Sequence, residues 1–313
     1  GRLEEAESHL RTSVELFEQA NQEFPHYETR KRLAHAECYL AKTLVARGKI
    51  DEALQRYQSA VDRLVPLVDA FPHQFAYRSN LRMGYDGLAG TLIAKGRFED
   101  ADQAYLQMLA LGDSPSGGPH DSQFDLGGNP YARGLLQHRL GNDQLAADLF
   151  REAFAGFEQI DREAGAGSPL RRLAQRKLRW KLVTCPLPQF HDPSRSITFS
   201  NDFLKVDAES AFDWYALGIG HYRAGAWDQA ISALERAAEL RYEEDSGNCY
   251  FLAMAYWQKG EQDTARALYE RGVAIGRSSG EAANLDDVNF REEAAHLLGI
   301  DEETEAEPSC CAP

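Results

Sequence analysis

No stretch of this sequence approaches the roughly 18 consecutive apolar residues that mark a membrane-spanning helix. The opening Gly1-Arg2-Leu3-Glu4-Glu5 has neither the basic nor the apolar region of a secretory leader. Cysteine is scarce and unpatterned. Cys38, Cys185, Cys249, Cys310 and Cys311 are odd in number and never spaced as CxxC, so neither a disulfide framework nor a zinc site is indicated. The vicinal pair in Cys310-Cys311-Ala312-Pro313 stands where a prenylated cysteine would, but the terminal Pro does not suit that signal. Positive charge is short as well: 34 Lys and Arg face 49 Asp and Glu, a net charge of −15. The field of such a chain repels phosphate backbones and anionic lipid. The expectation is a soluble, cytoplasmic protein with no nucleic-acid partner and no membrane insertion.

What is present is a repeat. With 43% hydrophobic residues, the 313-residue chain can bury a real core. Gly48, Gly96, Gly141, Gly225 and Gly260 each follow one apolar helical pattern and precede another. Seven residues before each stands a small residue: Ala41, Ala89, Gly134, Gly218 and Ala253. Five residues after each stands Ala53, Ala101, Ala146, Ala230 or Ala265, and nine after stands a large one: Tyr57, Tyr105, Phe150, Leu234 or Tyr269. Small residues let paired helices approach to about 8–10 Å, and the large one fills the space between neighbours. A small residue twelve after the glycine (Ala60, Ala153, Ala237, Gly272, with Met108 the exception) completes the packing face.

This pattern resembles the tetratricopeptide repeat, most closely from Trp214, where Leu217, Gly218, Ala230, Leu234 and Ala237 all fall in register. His221 and Tyr242 depart from it, at positions where the family favours Tyr and Pro. The resemblance implies an all-α solenoid, a right-handed superhelix of antiparallel helix pairs. Gly225 to Gly260 spans 35 residues, whereas the two earlier spacings, Gly48 to Gly96 and Gly96 to Gly141, are 48 and 45, so the earlier helices are longer. Ala6 and Leu10 follow Gly1 at five and nine residues. On that register the chain opens in mid-repeat, which leads to the expectation of a longer parent polypeptide.

The spacing predicts a lone helix near 2–22, pairs within 26–70, 73–112 and 129–164, and an atypical pair within 168–206. Two compact pairs follow within 209–242 and 245–278, then a capping helix near 288–298. The expected organisation is long-period repeats over 1–112, a Gly/Pro-rich loop over 113–128, a repeat plus the atypical pair over 129–206, compact repeats and cap over 207–299, and an acidic tail over 300–313.

In the atypical pair the glycine register gives way to Thr184-Cys185-Pro186-Leu187-Pro188-Gln189-Phe190-His191-Asp192-Pro193. Two prolines end one helix, Asp192 can cap the next, and Pro193 suits its first turn. This turn, with the repeats from Trp214 to Leu240 and Phe251 to Glu270, resembles the C-terminal repeat region of planctomycete-type bacterial serine/threonine protein kinases. That resemblance implies a kinase domain N-terminal to the repeats. The kinase machinery itself is missing from these residues: there is no Gly-rich phosphate loop, no HRD-x4-N and no DFG, and His138-Arg139-Leu140 lacks the needed aspartate.

Other chemistry reads more simply as structure. His191-Asp192 sits in a capping turn, Cys185 needs a neighbouring base to be reactive, and Gly218-Ile219-Gly220 lies inside an amphipathic helix with no preceding strand. No catalytic set, metal site or cofactor is expected.

Binding is the remaining class. Arg171, Arg172, Arg176, Lys177, Arg179 and Lys181 form the only dense basic run. It suits an acidic peptide, the chain's own tail with Glu302, Glu303, Glu305 and Glu307, or simply a solvated helix face. The tetratricopeptide likeness implies a peptide groove on the inner faces of the first helices. That selects His35, Cys38, Lys42, Asp86, Tyr131, His138, Tyr215, Ile219, Tyr222, Tyr250, Met254 and Trp257. Aromatic anchors suit such a groove, and packing against the neighbouring repeat is the alternative for some of them. The Asn and Lys/Arg set that grips a terminal carboxylate is not apparent, since Gly90, Ile219 and Met254 stand at its positions. The expected function is a scaffold that recruits a partner or substrate to a kinase on the same chain. The alternatives are an intramolecular regulator of that kinase and a free-standing adaptor.

Overall fold

The computed structural model describes residues 2–111, 129–165, 167–241, 245–278 and 285–300. The expected loop over 113–128 and the tail beyond Ile300 lie outside these described residues. Among the described residues all regular structure is helical, as expected. The chain forms two compact units, the first taking the described residues up to Glu163 and the second those from Ala164. The boundary falls within the 129–206 segment, between the regular repeat and the atypical pair.

The first unit holds α1 (Arg2–Glu23), α2 (Tyr27–Ala46), α3 (Ile50–Ala70), α4 (Phe75–Ala94), α5 (Phe98–Ala110), α6 (Asn129–Arg139) and α7 (Asp143–Glu163). Each helix packs on the next, and α2 also touches α4, so the first helices of successive pairs stand side by side. The second unit holds α8 (Pro169–Thr184), α9 (Pro193–Leu204), α10 (Ala211–Arg223), α11 (Trp227–Leu240), α12 (Ser246–Gln258), α13 (Gln262–Ser278) and α14 (Leu285–Leu298). Here α8, α10 and α12 are neighbours, and α14 packs on both α12 and α13.

The five register glycines end their helices in one way. Each has a positive φ, from 69° to 83°, the left-handed region that a Cβ disfavours. The residue after each donates back to the carbonyl five positions earlier, as Lys49 does to Leu44 and Ala226 to His221, both at 2.9 Å. This is the Schellman closure, which satisfies carbonyls that a helix end leaves open. Gly299 repeats it after α14, with Ile300 donating to Ala295 at 2.9 Å, a stop the glycine register had not singled out.

The packing positions are buried without exception. All five alanines five residues after the glycines are 0% exposed. A Cβ on Gly134 would lie 2.6 Å from Phe150 Cε1, and one on Gly218 2.6 Å from Leu234 Cγ. The small residue of each pair thus receives the large residue of its own second helix, so the glycines are fixed by contact rather than by turn geometry.

The atypical corner is built as its residues suggest. Asp192 Oδ1 accepts from the Arg195 amide at 3.0 Å with Pro193 at the helix start. His191 Nε2 lies 2.7 Å from the Cys185 carbonyl oxygen across a 3₁₀ turn, Pro188–Phe190, and the Asp192 amide donates to Leu182 at 3.0 Å. Both residues are therefore committed to holding the turn.

Candidate functional site

In the first unit, α1, α2 and α4 enclose an open cleft of ~640 Å³. Leu10, Ser13 and Phe17 come from α1, Lys31, Arg32, His35, Ala36 and Tyr39 from α2, and Phe75, Ala76, Ser79 and Asn80 from α4. Spacings of three and four place each helix's contributions on one face. Tyr39 is 46% exposed and Phe75 39%, large apolar surfaces turned to solvent at the edge of the core. His35 meets Tyr39 edge to face, centroids 4.7 Å apart. Burial, with help from the charge of Lys31, pushes the His35 pKa below its ordinary value, so the ring is neutral at physiological pH. Lys31 pairs with Glu28 at 2.7 Å, and Arg32 stands exposed beside it. The cleft lining thus combines apolar side chains with the cations Lys31 and Arg32 and the polar Ser13, Ser79 and Asn80.

The sequence selected His35 here but not Tyr39, Phe75, Lys31 or Arg32. The signal was available, since Tyr39 is one turn beyond His35 and Phe75 opens α4 on the corresponding face. Lys42 lies on α2 one further turn on and is exposed, as is Asp86 on α4. Cys38 instead faces the core at 2% exposure, where burial drives its thiol pKa up to about 12. Tyr131 is 2% exposed, its ring 5.1 Å from that of Phe150. His138 Nδ1 sits 2.6 Å from Asp143 Oδ1 at the turn into α7.

In the second unit the selected residues are mostly interior. Tyr215, Ile219, Tyr222, Tyr250 and Met254 are all within 8% of fully buried and belong to one continuous core. Trp257 alone is half-exposed, with the Arg266 guanidinium over its ring, 5.5 Å from the centroid. Their area goes into packing between repeats and against α14.

The basic run on α8 divides in two. Arg172, Arg176 and Lys177 are exposed, with Arg176 over the Phe203 ring at 5.3 Å. Arg179 is fully buried against Asp213. Burial pushes the Lys181 pKa down to about 8, against the pull of Asp286. Such a helix offers a cationic outer stripe, with Arg179 turned inward as part of the core.

Among the described residues no three His, Cys, Asp or Glu side chains converge as a metal site. No helix among them is long and apolar enough to cross a membrane. The geometry is that of tetratricopeptide-type helix pairs. Residues 215–280 match the sequence model of the tetratricopeptide repeat family. A tetratricopeptide repeat protein from Parabacteroides merdae is similar in structure, with a TM-score of 0.54 at 16% identity over 93% of this chain and 92% of that one. The Cut9-Hcn1 hetero-tetramer of the APC/C is similar over 92% of this chain and 46% of that one, with a TM-score of 0.50 at 17% identity. Among proteins with curated descriptions none matches in sequence. At such identities the likeness defines the fold alone, an all-α solenoid of tetratricopeptide type.

Proposed function

We propose that the protein recruits a partner through the α1–α2–α4 cleft, and that the segment recognised is an extended or helical peptide with an apolar anchor beside an acidic residue. The observation that carries this is the pair of exposed rings, Tyr39 and Phe75, lining an open cleft that Lys31 and Arg32 also line. Exposed aromatic surface next to directional polar groups is what peptide grooves use for anchoring and register. The Thr184–Pro193 turn supports the further reading that the recruited protein is a substrate of, or a partner for, a serine/threonine kinase on the same polypeptide. Under that reading this segment positions the partner and carries no phosphotransfer chemistry of its own.

A random peptide array probed with the wild-type chain and with Tyr39→Ala/Phe75→Ala tests the cleft. Peptides enriched in aromatic and acidic residues should bind the wild type and lose about tenfold or more with the double variant, on the scale of an anchor residue. Peptides that bind both forms equally would place recognition elsewhere and overturn the assignment.

A further inference from the structure

The first unit carries a second open groove, of ~970 Å³, between the second helices of two successive pairs, α3 and α5, with α4 contributing from beneath both. Asp86, the α4 residue expected on the inner face, takes no part in it; α4 turns Tyr85, Leu88 and Leu92 to this side instead. These three are buried, as are Val61 of α3 and Ala104 of α5, so the buried part of the lining is apolar apart from the Tyr85 hydroxyl. The exposed part is rich in carboxamides. Gln55, Gln58 and Asp62 follow one another on α3 at spacings of three and four, and Asp100, Gln103 and Gln107 repeat that spacing on α5. Each set is one stripe of its helix.

Most charges in this lining already have partners. Arg97 Nε donates to Asp100 Oδ2 at 2.7 Å. Arg63 turns to the buried Glu37, its Nε 3.1 Å from Oε2, and the Ser59 hydroxyl donates to the same carboxylate at 2.7 Å. Asp62 differs: it accepts from the neutral Gln58 amide at 2.9 Å, and no cation pairs with it among the described residues. The groove is thus neutral except for one uncompensated carboxylate.

A carboxamide offers an acceptor and two donors, which suits the N–H and C=O of a peptide main chain. An extended chain leaves those groups to be paired from outside, whereas a helix satisfies its own. The α3 lining runs from Leu54 to Val65, about 16 Å at ~1.5 Å per residue, the length of about five extended residues at ~3.3 Å each. We infer that this groove binds an extended peptide segment of about that length, with apolar side chains against Leu88 and Leu92 and a Lys or Arg at Asp62. The net charge of −15 draws a basic segment toward the chain, and Asp62 fixes its register. The groove shares no residue with the α1–α2–α4 cleft and does not rest on the reading of that cleft.

The probe is a phage-displayed library of random decapeptides, selected on the full chain carrying Tyr39→Ala/Phe75→Ala so that the cleft does not contribute. Recovered peptides are synthesised with a dye and titrated by fluorescence anisotropy into the full chain and its variants. They should carry a basic residue beside apolar ones. Asp62→Lys should weaken them about tenfold, the scale of turning attraction into repulsion at a partly exposed pair. Exchanging the peptide's basic residue for Glu should restore binding to the Asp62→Lys chain, a rescue that a folding defect cannot give. Gln55→Ala/Gln103→Ala should weaken binding with the charge contact intact. All three positions are exposed, and circular dichroism checks that each variant keeps its fold. Equal affinity for the wild-type and Asp62→Lys chains, loss without rescue, or a selection that yields no binder overturns the proposal.

Discussion

Arg179 on α8 and Asp213 on α10 form an ion pair whose side chains are 0% and 1% exposed. The guanidinium also lies over the rings of Phe203, at 4.8 Å, and Phe212, at 5.1 Å. Burial pushes the arginine pKa down, and the neighbouring carboxylate pulls it back. Removing one partner strands a charge in an apolar setting, which costs about 3–5 kcal/mol, whereas replacing both with apolar side chains is far milder. Asp213→Ala should therefore lower the stability of the second unit by that amount, and Arg179→Met/Asp213→Leu by much less. All four tryptophans, at 180, 214, 227 and 257, lie in this unit, so urea unfolding followed by tryptophan fluorescence reads it selectively. Equal losses in the two variants would show that the pair contributes nothing beyond packing.

Two helical glycines make opposite predictions. A methyl on Gly218 would stand 2.6 Å from Leu234 Cγ and 3.2 Å from the Leu234 backbone nitrogen, and backbone cannot yield as a side-chain tip can. Overpacking of this kind costs about 1–3 kcal/mol, more than the helix propensity that Ala gains. On Gly90 a methyl meets nothing within 4 Å. Gly90→Ala should accordingly stabilise the first unit by about 0.5–1 kcal/mol, through propensity and a restricted unfolded chain. Thermal melts of the two variants by far-ultraviolet circular dichroism should move in opposite directions.

The difference between these glycines also shows what the sequence could say. Gly218 was legible because its partner, Leu234, sits at a fixed offset within the same helix pair, and a repeat displays that offset five times over. The stops at Gly48 through Gly260 were legible for a similar reason, since one local closure demands one residue type. The inner face was harder. Position within a helix says that Tyr215, Ile219 and Met254 point toward neighbouring first helices, but not that those neighbours and α14 close over them. That closure depends on Phe290 reaching Trp180, a contact spanning more than a hundred residues, with no periodicity to announce it. Arg179 was misplaced in the basic patch on the same grounds. On α8 it reads as one cation among six, and only the packing of α10 brings Asp213 to it.

The interior cysteines should be inert. Cys38, Cys185 and Cys249 are buried, and burial pushes the thiols of Cys38 and Cys185 up to about 12. Thiolate is the reacting species, so little is present at pH 8 and little is accessible. In a chain carrying Cys310→Ser/Cys311→Ser, an aromatic disulfide reagent should label the native protein only slowly, and three thiols should appear on adding denaturant. Rapid stoichiometric labelling of Cys185 in the native state would instead mark the Thr184–Pro193 corner as an open, reactive site.

The first unit should lose stability in acid through Glu7. This carboxylate is 6% exposed on its side chain and meets Lys49 Nζ and Arg11 Nη2, each at 2.8 Å, together with Arg47. Hydrogen bonding from Lys49, then from Arg11 and Arg47, lowers its pKa from 4.5 to about 2. A group whose folded pKa lies below its unfolded one adds stability that is fully present above the unfolded value and is lost as pH falls toward the folded one. The loss attributable to Glu7 therefore falls between about pH 4.5 and pH 2. Glu37 on α2 acts with the opposite sign, because burial raises its pKa despite Ser59 and Arg63, so its protonation favours the folded state as pH drops. Hydrogen exchange of α1 and α2 amides against pH should show a shallower acid loss in Glu7→Gln and a steeper one in Glu37→Gln. A Glu7→Gln profile parallel to that of the wild type would mean that the three cations stabilise α1 no better around a charge than around an amide.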